Sequence, residues 1–204
     1  MIKKITVFTS NHPRHLNLIN ELSKICERVF AIIETTTVHP GKVEDFYKKS
    51  EIMQKYFSNV INSEKRFFGD ISFLASNVSP LIIKMGDLNK VNLSVIKNSL
   101  ESDLFVVFGS SYIKGDLIDI LVNKNSINIH MGVSPYYRGS SCNFWAMNNK
   151  DYDLVGSTIH MLSKGLDSGE MLFHALPSFE QNPFDYTMKS VKAAQMGLNE
   201  FSAK

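Results

Sequence analysis

Cysteine is nearly missing from this chain: Cys26 and Cys142 are the only two in 204 residues, far apart and without metal-type spacing. That argues against a disulfide framework and leads to the expectation of a reducing, cytoplasmic setting. Glycine does not occur before Gly41. The turn after the first strand-like segment, Thr9-Ser10-Asn11-His12-Pro13-Arg14-His15, is therefore not the Gly-x-Gly-x-x-Gly turn that brings backbone against a pyrophosphate. A dinucleotide dehydrogenase is not expected, and no Walker-type phosphate loop occurs. The longest apolar runs are strand-sized, so no membrane span is expected. Residues 1–8 lack the apolar core and cleavage site of a secretory signal and read as a first strand. An excess of one charge is missing too: 22 basic against 20 acidic residues leave a net +2, too little to suggest a nucleic-acid partner. Lys48 and Lys49 sit beside Glu44, Asp45 and Glu51 and read as a solvated helix face.

What is present alternates. Residues 2–8 precede a helix expected from Pro13 to Arg28, where Leu18, Leu22, Ile25 and Val29 recur at helical spacing. Val29–Ile33 reads as a second strand. An amphipathic helix is expected over residues 43–63. Its Met53, Phe57 and Ile61 stripe, with Ile52, Tyr56 and Val60 alongside, reads as core packing. Leu81–Ile83, Leu104–Phe108 and Ser126–His130 supply further strands, and residues 92–100 and 114–122 further helices. Leu104–Phe108 is a continuous apolar run, the pattern of a strand buried on both faces. This order implies an α/β fold with a mostly parallel, Rossmann-like sheet and helices on both faces. Later the pattern changes: Val155–Leu162 and Met171–Pro177 read as consecutive, antiparallel strands joined by a turn at Lys164–Gly169, before a closing helix from Pro183 to Phe201. Without a linker or repeat, residues 1–204 are expected to form one domain. Ligands of such sheets lie beyond the carboxyl ends of the strands. That singles out Thr9–His15, Lys84–Asn89, Gly109–Tyr112 and Asn128–Gly139.

Asn128 and His130 lie two apart at a strand end, so both side chains share one face of the sheet. The amide can donate to a developing oxyanion, and the imidazole can move a proton near neutral pH. An Asn-x-His pair alone reads equally well as a satisfied polar pair. Asp167, between Gly165 and Gly169, is either a carboxylate brought to a ligand or the centre of an Asx-turn. His12 and His15 offer too few ligands for zinc, and no metal is expected. Their segment either caps the first helix or, through Arg14 and the helix N-terminus, receives an anionic group. His160, inside a strand, reads as structural, and His39 and His174 have no evident partners.

Taken in order, Asn128-x-His130, Pro135-x-Tyr137-Arg138-Gly139, Gly156-x-Thr158-x-His160 and Asp167-x-Gly169 resemble the catalytic domain of the folate-dependent formyltransferases. The motifs span residues 126–172, and the order of strands and helices extends the likeness over most of the chain. The resemblance implies catalytic Asn128, His130 and Asp167, with 10-formyltetrahydrofolate as formyl donor and no metal. It also implies a pterin pocket at Gly109, Ser110, Ser111, Tyr112 and Ile113 and at Ser163 and Leu166. Met85 and Asp87 would edge the formyl group or the glutamate tail. Ser110 and Ser111 could equally cap the following helix. Ser134 stands where the family usually has leucine, and the glycine-rich first loop that glycinamide ribonucleotide formyltransferases use for phosphate is missing.

That first loop disfavours glycinamide ribonucleotide as acceptor. Methionyl-tRNA would call for a further C-terminal domain and a more basic surface. The remaining likeness is to the sugar-nucleotide N-formyltransferases. It implies an amino-deoxy sugar on a nucleoside diphosphate, such as a dTDP-4-amino-4,6-dideoxyhexose for bacterial O-antigen or lipopolysaccharide. His12, Arg14, Tyr137, Arg138 and Trp145 are then the expected acceptor contacts, although Trp145 could equally be an ordinary core or interface residue. The expected partners are small molecules, with a homodimer possible. A silent folate-binding protein and a formyltetrahydrofolate hydrolase are the readings from other classes.

Overall fold

The computed structural model describes residues 2–35, 50–70 and 73–202. Its centre is a seven-stranded sheet: β1 (Lys4–Ser10), β2 (Arg28–Thr35), β3 (Val78–Lys84), β4 (Leu104–Phe108), β5 (Ile127–His130), β6 (Ser157–Met161) and β7 (Met171–Ala175). The spatial order is β3-β2-β1-β4-β5-β6-β7. Pairing is parallel from β3 through β5 and antiparallel at β5–β6 and β6–β7. The expected α/β architecture is thus observed, including the antiparallel end. The helices are α1 (Pro13–Ser23), α2 (Glu51–Phe68), α3 (Gly115–Asn123), α4 (Cys142–Asn148) and α5 (Pro183–Ser202), and no described helix is long and apolar enough to cross a membrane.

Side-chain alternation explains the layering. Ile5 and Val7 of β1 join Leu18, Ile19 and Leu22 of α1 and Val191, Ala194 and Leu198 of α5 in one core. Phe8, on the opposite face, joins Phe105 and Val107 of β4 and Leu117, Ile118 and Leu121 of α3. Each such side chain, fully withdrawn from water, contributes about 1.5–3 kcal/mol. The order in which strands are added reverses between β1 and β4, because the chain winds outward through β2 and β3 and then returns to β1's other edge. A crevice opens at such a switch point beyond the strand ends.

Several boundaries differ from those read in the sequence. Helix α1 stops at Ser23 and not at Arg28, because residues 24–27 turn the chain into β2 and Asn77 Nδ2 takes the carbonyls of Ser23 and Cys26. The helix expected over 92–100 is reduced to a 3₁₀ turn at Lys97–Glu101, with a separate 3₁₀ turn before it at Leu88–Lys90. There Asn92 Oδ1 accepts from Ser94 N–H, the local bond by which Asn competes with helix. In α2 the Met53, Phe57 and Ile61 stripe runs along the same helical face as the buried Glu64 and Phe68, but only the C-terminal end of that face is inside: Met53 is 40% exposed and Ile52 alongside it 80%. The C-terminal half of α2 packs against α1 and α5 through polar partners, Glu64 with Arg14 and Ser63 with Asp185. Residues 43–49 of that expected helix, and His39, lie outside the described residues. Helix α4 went unanticipated. Its Cys142, Asn143 and Ala146 are buried, a spacing too short to stand out as a period.

Candidate active site

The loops that follow β1, β3, β4 and β5, together with the β6–β7 turn, converge on a cavity of about 470 Å³, within the size range of small-molecule sites. Asn128 and His130 enter it from the end of β5. Opposite them on the antiparallel partner stand His160 and Thr158. The period of two therefore puts an amide, two imidazoles and a hydroxyl on one face. Thr158 Oγ1 donates to Gly132 O at 2.7 Å and accepts from Ser134 N–H at 2.9 Å, holding the loop after β5.

Asp167 is the hub of the cluster. Its backbone is in the left-handed region, φ 44°, which swings the carboxylate back towards the sheet. Oδ2 lies 3.2 Å from His130 Nδ1 and accepts from Gly139 N–H at 3.1 Å. Oδ1 accepts from Asn128 Nδ2 at 3.3 Å and stands 3.7 Å from His160 Nε2. Of the readings open in the sequence, an Asx-turn does not describe these partners. Burial alone would raise the Asp167 pKa, but the imidazoles of His160 and His130 and the Gly139 N–H outweigh it, holding the carboxyl below its usual range.

His130 is 5% exposed, and both its ring nitrogens face acceptors: Nε2 lies 2.9 Å from Tyr137 O and Nδ1 faces Asp167. Only the doubly protonated ring donates to both. His160 Nδ1 lies 2.8 Å from Met161 O and donates there, which leaves Nε2 to accept from Asn128 Nδ2 at 2.9 Å. Asn128 thus spends one N–H on His160 and the other, over a longer distance, on Asp167. The sequence reading gave His160 a structural role, yet the structure sets it inside the cluster. The signal was its spacing of two from Thr158, across from Asn128. Cys142 stands close by, and burial together with the Asp167 charge pushes its thiol up to about 11, too high for a nucleophile near neutral pH.

The cavity also collects His12, Arg14, Met85, Gly109 to Ile113, Ser163 and Leu166 from the residues singled out in the sequence. It does not collect Asp87, Tyr137, Arg138 or Trp145. Asp87 pairs with Lys90, and Tyr137 Oη donates to Asp151 while its carbonyl faces His130. Arg138 is exposed, and Trp145 is 52% exposed and edge-on to Phe144. Helix α4 carries Trp145 away from the cavity. Ser111 lines the wall, but both its N–H and its hydroxyl are given to Glu34, so neither caps a helix nor remains for a ligand.

Arg14 Nη1 is 2.9 Å from Glu64 Oε1, which also accepts the Arg14 backbone N–H. Arg14 therefore ties α1 to α2 while lining the cavity. His15, unremarked in the sequence beyond its spacing from His12, is 3% exposed, lines the same wall, and has an Nδ1 with no hydrogen-bond partner. Burial first, then the positive Arg14 and His12, hold its pKa well below the usual imidazole range. Gly109 is required opposite it: φ is 70°, and a Cβ there would stand 2.6 Å from His15 Cε1. Among the described residues no group of three or more His, Cys, Asp or Glu side chains could hold a metal ion.

Comparison with known proteins gives the family and the fold. A model of the formyl transferase family matches residues 72–194. A methionyl-tRNA formyltransferase of Caldanaerobacter subterraneus subsp. tengcongensis is 30% identical over 103 residues, 50% of this chain and 33% of that protein. The chain thus spans about a third or less of the curated relatives it matches. Among solved structures, phosphoribosylglycinamide formyltransferase from Anaplasma phagocytophilum superposes with a TM-score of 0.62 at 15% identity, covering 100% of this chain and 86% of that one. A sugar N-formyltransferase from Shewanella sp. FDAARGOS_354 gives 0.54 at 18% identity, covering 98% and 68%. At these identities the superpositions show the shared fold.

Proposed function

Because the chain belongs to the formyl transferase family, we propose that it transfers the formyl group of 10-formyltetrahydrofolate to an amine held in the cavity described above. The observation that carries this is Asp167 bridging His130 and Asn128 at one cavity wall. Attack of the amine on the formyl carbon creates a tetrahedral oxyanion. The longer Asn128–Asp167 contact is the one that yields, freeing an amide N–H for that oxygen, a donor of a kind worth about 10²–10³ in rate. Collapse of that intermediate breaks the bond between the formyl carbon and N10 of the folate, and His130, set between Tyr137 O and Asp167, relays the proton lost by the amine to the departing nitrogen. Such acid–base help contributes roughly 10²–10⁴. His160 and Gly139 keep Asn128 and Asp167 in place through their remaining bonds while that one contact gives way.

The acceptor we propose is an amino-deoxy sugar on a nucleoside diphosphate, handled in the cytoplasm. Its support is the His12–His15 segment, which lines the same cavity as the trio and brings the Arg14 guanidinium to it, while burial keeps His15 uncharged. A diphosphate can be met there by side chains in the absence of a glycine loop. The test is incubation with 10-formyltetrahydrofolate and a panel of acceptors, read by mass spectrometry: amino-sugar nucleotides, glycinamide ribonucleotide and methionyl-tRNA. Formylation of an amino-sugar nucleotide is expected. Activity confined to methionyl-tRNA, which the names of the curated relatives favour, would overturn the acceptor and keep the chemistry. Formate release without an acceptor would make the protein a hydrolase. Arg14→Ala separates the two roles of that side chain. Weaker acceptor binding with unchanged folate binding supports a contact, and equal loss of both makes Arg14 a tie between helices.

A further inference from the structure

The loops after β3 and β4 are fastened together by a side chain that the motifs do not include. Glu34, one residue before the end of β2, is fully buried. Its Oε1 accepts from Gly86 N–H at 2.8 Å, Leu88 N–H at 3.4 Å and Ser111 Oγ–H at 2.8 Å, and its Oε2 from Ser111 N–H at 2.6 Å. All four partners are donors, so the carboxyl acts only as an acceptor, the pattern of an ionised carboxylate. Glu34 is not among the residues lining the cavity, but the segments it joins are: Met85 on one side and Gly109 to Ile113 on the other. Asn89 repeats the tie, donating from Nδ2 to Tyr112 O at 2.8 Å and accepting Lys114 N–H at 2.7 Å. Tyr112 Oη then donates to Lys164 O at 2.5 Å, reaching the turn that carries Asp167.

We propose that Glu34 is a positioning residue for the formyl-donor half of the site. Its carboxylate sets the spacing between the Met85–Leu88 turn and the Gly109–Ile113 loop, and with it the width available to a flat pterin ring. This rests on the folate reading above. It follows from hydrogen-bond arithmetic: four donors from two loops converge on the two oxygens of one buried side chain, twice the number of bonds that Asn89 adds between the same loops. Without that acceptor, the donors must seek water and the loops separate.

Glu34→Gln in the full chain is the test, since it keeps the volume yet must turn an NH₂ towards one of the existing donors. Folding is checked by circular dichroism and thermal melting, and the affinity for unreactive 5-formyltetrahydrofolate by calorimetry. The dissociation constant is expected to rise at least about tenfold, the scale of a lost bond to a charged acceptor. Turnover at saturating donor and the acceptor KM should stay within about twofold, since the Asn128–His130–Asp167 cluster lies on other elements. Ser111→Ala removes one of the four donors and should weaken folate by a smaller factor, roughly two- to fivefold. Wild-type folate affinity in a folded Glu34→Gln protein overturns the proposal. So does a parallel decline of turnover and both KM values, which marks a general loss of structure. If Glu34→Gln does not fold, Ser111→Ala decides alone, and unchanged folate affinity overturns the inference. A wild-type protein that binds no folate overturns the donor reading itself, before any variant is made.

Discussion

His130 Nδ1 and Asp167 Oδ2 face each other at 3.2 Å in the centre of the cluster, and their replacement is the sharpest test at the scale of single residues. His130→Asn and Asp167→Asn are each expected to lower turnover at least about a hundredfold, the lower end of acid–base contributions, with circular dichroism unchanged. Near-normal rates in both folded variants would remove the trio from the mechanism. His15 gives a test that needs no substrate. Its folded pKa is depressed, with burial the main cause, whereas in the unfolded chain it titrates near pH 6.5. The unfolded state therefore takes up a proton, as pH falls below that value, which the folded state refuses. Stability is expected to be full above about pH 6.5 and to decline towards lower pH relative to His15→Asn. Denaturant midpoints of the two proteins that run parallel from pH 7 to 5 would contradict the assignment. Asp167 acts in the same direction but in a more acidic window. Its depressed carboxyl stabilises the fold above the ordinary carboxylate range and ceases to do so only as pH falls through the lowered value. Asn128 and His130 were readable as a same-face pair from the period of two, while their expected role, and that of Asp167, came from the family resemblance. Glu34 and His15 were not readable, since a buried acceptor is defined by donors 52 and 77 residues away.

Among the elements, α2 separates amphipathic appearance from actual burial. The Met53, Phe57 and Ile61 stripe marks the inward side, but its N-terminal end projects beyond the core, with Met53 40% exposed, while Glu64 and Phe68 further along the same side are inside. Ile52→Ala is therefore expected to change stability by less than about 0.5 kcal/mol, as surface substitutions do. Phe68→Ala should cost about 3–5 kcal/mol, the range for a large buried side chain. Chemical denaturation of both variants reads this contrast, and a large loss at Ile52 would restore the stripe as core. Glu64→Ala leaves both the Arg14 backbone N–H and its guanidinium without their acceptor, and about 1–3 kcal/mol is the expected loss. The strands were easier to read than the helices. Leu104–Phe108 is apolar on both faces because it is central in the sheet, and its bounds agree with the observed β4. Helix ends depended on remote partners, such as Asn77 beyond α1 and the Asn92 turn that replaces a helix.

For the molecule as a whole, the donor is expected to act as a clamp, since it would touch loops from β3, β4 and β5 and the turn before β7 together. A folate analogue at a hundred times its dissociation constant should add about 2.7 kcal/mol of stability by mass action. For a chain of this size that raises the melting temperature by roughly 2–4 °C per kcal/mol. No shift at saturating analogue would argue against folate binding in the cavity. The sequence by itself determined the alternation of strands and helices, the antiparallel end and the motif residues. Those follow from side-chain periodicity and local turn chemistry, which act over a few neighbours. Tertiary structure decided which of the marked residues meet. It placed His160 across from Asn128 through β5–β6 pairing, carried Trp145 off on α4, and gave the Ser111 donors to Glu34. It also turned Arg14 into a link between helices as well as a cavity wall. These outcomes depend on sheet order and crossing connections, which bring together residues far apart in the chain, and no local pattern encodes the distance between them.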